Sequence, residues 1–194
     1  LKNQRAYTAL ETTLQIWFFI VWFNDNIYMM NEGQNKKDKI KVASLFAGIG
    51  GICYAFKQND CDVVWANEID KDACKTYRYN FGSSYLVEGD IKEVDAKEIP
   101  DIDILNGGFP CQAFSIAGYQ KGFDDERGSL FFEIARILEV KKPKVVLLEN
   151  VKNLEGHNNG ETFHVIKSEL EKLGYFVRYK VLNTMEYGDI PQNR

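Results

Sequence analysis

Four short runs in this chain, at residues 41–46, 62–68, 102–106 and 144–149, are apolar almost throughout, and helical spacing follows them. A strand that is apolar on both faces must be covered on both, which a parallel sheet between two layers of helices achieves. Residues 85–88 read as a further short strand, and 175–182 as a last one that alternates. Helices are expected from the glycine turn at 48–51 to about Gln58, over 70–80, over 129–141 and over 160–173. Asp70 and Ser129 stand at N-cap positions. Phe163, Ile166, Leu170 and Leu173 mark one face of the last helix, with Gly174 as its stop. The expected fold class is α/β, with a doubly wound sheet. Ligands in such sheets bind beyond the carboxyl ends of the strands, so those ends carry the functional reading.

The first strand runs into Phe46-Ala47-Gly48-Ile49-Gly50-Gly51. Glycines there let backbone N–H groups approach a ligand at a helix N-terminus, although such a turn is as often plain strand–helix packing. Glu68 closes the second strand, where a carboxylate can accept hydrogen bonds from ribose hydroxyls. Asp90, after Gly89, can accept from an adenine amino group. The loop lacks the third glycine phase of a dinucleotide fingerprint, so a cofactor without a pyrophosphate, such as S-adenosylmethionine, fits at least as well.

The fourth strand exits through Gly107-Gly108-Phe109-Pro110-Cys111-Gln112. Free cysteine is usually a buried packing residue, which is the reading for Cys53, Cys61 and Cys74. Cys111 differs in following a stiff proline in a polar loop, where a helix N-terminus or a basic partner can favour the thiolate. Glu149 ends the otherwise apolar Leu147-Leu148-Glu149-Asn150-Val151 run. A carboxylate in that place is either an exposed cap or, if buried, an acid held protonated near neutral pH. A thiolate opposite a protonated acid is what Michael-type addition to a pyrimidine ring requires.

Composition adds limits. The chain has 194 residues, 45% hydrophobic and 27% charged, enough for one domain with a full core. A net charge of −4 gives no global attraction to nucleic acid, though a local basic groove is compatible with it. Four cysteines without a C-x-x-C pair, and two histidines, His157 and His164, argue against a metal site. Free thiols without a signal peptide point to the cytoplasm. The apolar run over 14–23 is too short for a bilayer, which needs about 20 such residues, so no membrane partner is expected.

These motifs together resemble the C5-cytosine-specific DNA methyltransferases of the bacterial restriction–modification type, over about Ile40 to Arg194. Residues 46–51 match the family's cofactor loop, Asn67-Glu68-Ile69-Asp70 its ribose-binding strand end, and Gly89-Asp90-Ile91 its adenine site. Gly108-Phe109-Pro110-Cys111-Gln112 carries the family nucleophile and Glu149-Asn150-Val151 the family acid. The resemblance implies a Rossmann-like S-adenosylmethionine-dependent methyltransferase fold. It further implies a cofactor held by Phe46, Gly48, Gly50, Gly51, Glu68, Ile69, Asp90, Ile91, Pro110 and Leu130. Cys111 would attack C6 of a flipped-out cytosine in double-stranded DNA, Glu149 would contact N3 and the 4-amino group, and Arg194 would orient O2. Gln112, Ser115 and Arg127, in a loop over 110–130, are the implied DNA contacts.

The family chain continues past Pro191-Gln192-Asn193-Arg194. An antiparallel strand then enters between the strand ending at Glu149 and the 175–182 strand, followed by a target-recognition domain and a last cofactor motif. The chain therefore reads as a truncated catalytic domain over 40–194, inactive alone in site-specific methylation, with an unpaired sheet edge beside the Glu149 strand. A second chain carrying the remaining motifs would be its partner. Residues 1–39 read as an upstream extension and linker, with a natural start at Met29 or Met30 and a docked N-terminal helix as the alternative. Competing functions are a tRNA cytosine C5-methyltransferase of the same family and a non-catalytic cofactor-binding remnant.

Overall fold

The computed structural model describes residues 17–23, 39–109 and 129–182, with 17–23 and Ser129 described in backbone only. Strands are β1 (Trp17–Phe23), β2 (Lys41–Leu45), β3 (Asp62–Glu68), β4 (Leu86–Glu88), β5 (Ile104–Gly108), β6 (Val145–Asn150) and β7 (Tyr175–Val181). Helices are α1 (Gly51–Gln58), α2 (Lys71–Phe81), α3 (Ser129–Lys141) and α4 (Glu161–Lys172). The strands form one sheet in the order β4-β3-β2-β5-β6-β1-β7. Every pairing from β4 to β6 is parallel, as the apolar runs demand.

Strand alternation divides the core between two faces. Ala43, Leu45, Leu105, Val146 and Leu148 pack with Phe131, Ile134, Ile137 and Leu138 of α3 and with Ile166 and Leu170 of α4. Val42, Val63, Ala66 and Leu147 pack with Cys53 and Phe56 of α1 and Tyr77 of α2. Fully burying one such aliphatic or aromatic side chain stabilises by about 1.5–3 kcal/mol. The expected cap at Asp70 is formed: its Oδ1 accepts from the backbone N–H groups of Asp72 (2.9 Å) and Ala73 (2.7 Å).

Two readings of the sequence need correction. The fourth strand does not stop at 106. Gly107 and Gly108 continue its ladder, with Gly107 opposite Leu45 and Leu148, and Gly108 opposite Glu149. The second correction concerns the slot beside the Glu149 strand, which is not open. Trp17–Phe23, expected within an extension or a docked helix, forms β1 and pairs antiparallel with β6 on one side and β7 on the other. An unbroken aromatic and β-branched run suits a strand with neighbours on both edges.

Candidate active site at the strand exits

The β2–α1 loop is built from backbone in the left-handed region at Phe46 (φ 53°), Gly48 (φ 55°) and Gly50 (φ 95°). Phe46 bears this conformation without being glycine, a local strain of the kind that collects at functional loops. At Gly50 a Cβ would run into the Phe81 ring, so the position admits only glycine. Gly50 is also the N-cap of α1 and offers no side chain to it. Around Gly48 and Gly51 there is open space where a Cβ would stand. The loop thus presents the amino end of α1 without a side-chain cap, a ready place for an anionic group.

Glu68 fastens this loop to the end of β3. Its Oε2 accepts from the Gly48 N–H (2.7 Å), while Oε1 accepts from Ile69 N–H and Asp70 N–H (2.8 Å each). Three backbone donors hold a carboxylate that is 8% exposed. Most of its accepting capacity is already used within the protein. Asp90 is likewise engaged, its Oδ1 accepting from Lys92 N–H at 3.0 Å to cap a short 3-10 turn. Ile69 is exposed, whereas Ile91 lies in the core and Leu130 packs against it.

The acid strand and the thiol strand meet directly. Glu149 is opposite Gly108 in the ladder, and its carboxylate lies where a Gly108 Cβ would be, 2.5 Å from that position. Burial pushes the Glu149 carboxyl above its ordinary value of 4.5, which favours the protonated acid. Next to it, the buried Asn150 donates from Nδ2 to the Phe109 carbonyl at 2.7 Å and accepts the Val151 N–H at 2.8 Å. The backbone that leads toward Cys111 is therefore tied to the strand that carries the acid. Pro110, Cys111, Gln112, Ser115, Arg127 and Arg194 lie outside the described residues.

Sequence reasoning passed over a set of buried asparagines that organise these exits. Asn67 donates to the carbonyls of Val87 (3.1 Å) and Gly89 (3.0 Å), fixing the turn that ends at Asp90. Asn106 donates to the Ala43 carbonyl (3.1 Å) and accepts from the Ser44 hydroxyl (3.0 Å). The available signal was an asparagine near the end of three otherwise apolar strands, where only a satisfied amide tolerates burial. Cys53, Cys61 and Cys74 match their packing role: burial pushes all three thiols up. His157 is bonded through Nδ1 to Thr162 Oγ1 at 2.8 Å. Among the described residues no group of His, Cys, Asp or Glu could hold a metal ion, and no helix is long and apolar enough to cross a membrane.

A doubly wound parallel sheet, a glycine loop tied to an acid on the next strand, and a second acid at a later exit define a Rossmann-like methyltransferase class of protein. Solved structures agree. A DNMT2 variant of Spodoptera frugiperda superposes with a TM-score of 0.53 at 28% identity, over 68% of this chain and 41% of that one. The S. pombe Dnmt2 methyltransferase gives 0.53 at 26% identity, over 68% and 40%. The chain belongs to the C-5 cytosine-specific DNA methylase family, whose profile matches residues 40–194. Among curated relatives, the Type II methyltransferase M.Bsp6I of Bacillus sp. (strain RFL6) is 52% identical over 157 residues, covering 80% of this chain and 50% of that protein. M.HhaI of Haemophilus parahaemolyticus is 52% identical over 162 residues, covering 81% and 49%. The chain thus spans about half the length of the curated relatives it matches.

Proposed function

We propose that this chain carries the cofactor-binding and catalytic residues of an enzyme that methylates C5 of cytosine in double-stranded DNA, with S-adenosylmethionine as the methyl donor. The observation that carries this reading is the junction of β5 and β6. A half-buried acid lies against Gly108, and Asn150 grips the Phe109 carbonyl two residues before Cys111. Consecutive Cα atoms are about 3.8 Å apart, so two peptide units set how far the thiol can stand from that junction.

In the proposed reaction the target cytosine leaves the stack, because its ring is otherwise covered on both faces. The Cys111 thiolate adds to C6. Glu149, whose carboxyl is pushed toward the protonated form by burial, gives a proton to N3, and C5 becomes an enamine nucleophile. When bound, S-adenosylmethionine would supply the methyl group to C5 and leave as S-adenosylhomocysteine. N3 would return its proton to Glu149, and loss of the C5 proton to water would expel the Cys111 thiolate and restore the ring. Arg194 would orient the cytosine O2, and Gln112, Ser115 and Arg127 would contact DNA.

On the cofactor side, the uncapped amino end of α1 suits the carboxylate of a methionine moiety. Gly48 and Gly51 give it room, Gly50 lets the loop turn against Phe81, and Ile69 is an exposed apolar surface beside Glu68. Glu68 would shape the loop as much as contact a ribose, since three backbone donors already occupy it. A second chain, or further sequence, that brings target-recognition contacts is the partner this reading requires. Titration calorimetry tests the reading: S-adenosylmethionine should bind, more weakly than to full-length M.Bsp6I, and NAD should not. Binding of NAD with none of S-adenosylmethionine would reject it.

A further inference from the structure

The strand that completes this sheet comes from the wrong end of the site. β6, α4 and β7 form a β-α-β unit whose two strands are parallel but are not neighbours. One strand stands between them, and it is β1. Its register runs from Trp17↔Asn150 to Trp22↔Val145 against β6, and from Trp17↔Val181 to Phe23↔Tyr175 against β7. Among the described residues β7 pairs with no strand except β1. Among its other ties are Tyr175 and Val177 in the core, the Tyr179 ring against Phe163 of α4 with centroids 4.7 Å apart, and the Tyr175 hydroxyl donating to the Pro143 carbonyl at 3.0 Å. The remaining positions of β7, Phe176 and 178–181, are exposed. Among the described residues β7 therefore takes its backbone ladder from β1, and a strand without a ladder partner is marginal in water.

We propose that Trp17–Phe23 is a strand clasp, supplied by the chain itself, that fills the β6–β7 slot, anchors β7 and closes the sheet beside Glu149. Connectivity permits it. β1 runs antiparallel, so Phe23 lies at the end of the sheet where β2 begins. The way back to β2 crosses β6 and β5, about 14 Å at about 4.8 Å per strand spacing. Residues 24–40 can span several times that distance at about 3.3 Å each. The register also sets Phe18 level with Glu149 on one side and with Lys180 on the other. Strand pairing there removes water from the edge of β6 at the acid. The clasp is therefore a positioning element for Glu149 as well as a staple for β7, and it stands whether or not the methyl-transfer reading does.

The test uses the whole chain. In Ile20→Cys/Arg178→Cys the two positions are direct cross-strand partners, on one face at disulfide distance. Mild oxidation should join the two introduced thiols in an intramolecular disulfide, read by peptide mapping. The control Ile20→Cys/Tyr179→Cys, one residue off register and on the opposite face, should not close. Hydrogen exchange gives the second arm. Amides of Phe176–Lys180 should be protected in the parent chain and lose that protection at least tenfold in Ile20→Pro, while those of Val63–Ala66 keep theirs. Glu149 gives the third. The stability gained by Glu149→Gln should grow with pH in the parent and lose that dependence in the Ile20→Pro background. A disulfide in the off-register pair but not the on-register one, β7 protection unchanged by Ile20→Pro, or an unchanged pH dependence would overturn the proposal.

Discussion

Replacing Glu68 by Gln isolates the bond network that shapes the cofactor loop. The carboxylate takes the Gly48 N–H at Oε2 and the Ile69 and Asp70 N–H groups at Oε1. A glutamine can keep its oxygen at the position that serves two donors. Its amide nitrogen then faces the Gly48 N–H, donor against donor. One charge-assisted bond is lost outright, worth about 1.5–3 kcal/mol, and a buried N–H is left without an acceptor. The two remaining bonds become neutral, at roughly half the strength. Because Glu68 is 8% exposed, solvent repairs little of this. The expected destabilisation is about 2–4 kcal/mol, or roughly 5–15 °C in Tm for a domain of this size. Urea denaturation followed by circular dichroism measures it, and calorimetry should show at least a tenfold loss in S-adenosylmethionine affinity. A change under about 0.5 kcal/mol, within the range of ordinary surface substitutions, would refute the view that Glu68 holds the loop.

Three further outcomes follow from the β5–β6 junction and the thiols. The folded-state pKa of Glu149 is raised by burial, so its contribution is fully present below the ordinary value of 4.5 and is lost as pH rises through the folded pKa. Glu149→Gln should therefore match the parent in stability below that value and exceed it increasingly above, as read by denaturation across pH. Asn150→Ala leaves the Phe109 carbonyl and the Val151 N–H without partners, and should cost about 2–4 kcal/mol. Asn150→Asp should not rescue it, because a carboxylate cannot donate to the carbonyl. With Cys53, Cys61 and Cys74 all held up by burial, iodoacetamide near pH 7.5 should modify Cys111 first by peptide mapping.

The parallel half of this fold was legible because its strands are apolar on both faces and end in glycines, acids or asparagines. Glu68 and Glu149 could be picked out as polar ends of apolar runs. What they touch could not, since Glu68 binds a backbone N–H twenty positions upstream and Glu149 lies over a glycine on another strand. Asn67, Asn106 and Asn150 were given no role of their own because an asparagine gives no periodicity, and its value appears only with the carbonyl it meets. β1 was the least readable element. A short unbroken apolar run does not separate strand from helix, and its partners stand at 145–150 and 175–181, far along the chain. The ends of β5 were misread for the opposite reason. Glycines suggest a turn, yet Gly108 stays in the ladder because the acid occupies the space of its side chain.

Covalent trapping tests the central claim most directly. The chain would be combined with the carboxy-terminal half of M.Bsp6I, S-adenosylmethionine and a duplex carrying 5-fluorocytosine in that enzyme's target site, since fluorine blocks the final elimination. The account predicts a denaturant-resistant protein–DNA adduct that maps to Cys111, is absent in Cys111→Ser and forms much more slowly in Glu149→Gln. Without the added half, no site-specific adduct should form. An adduct that maps to another residue, or that persists in Cys111→Ser, would contradict the account.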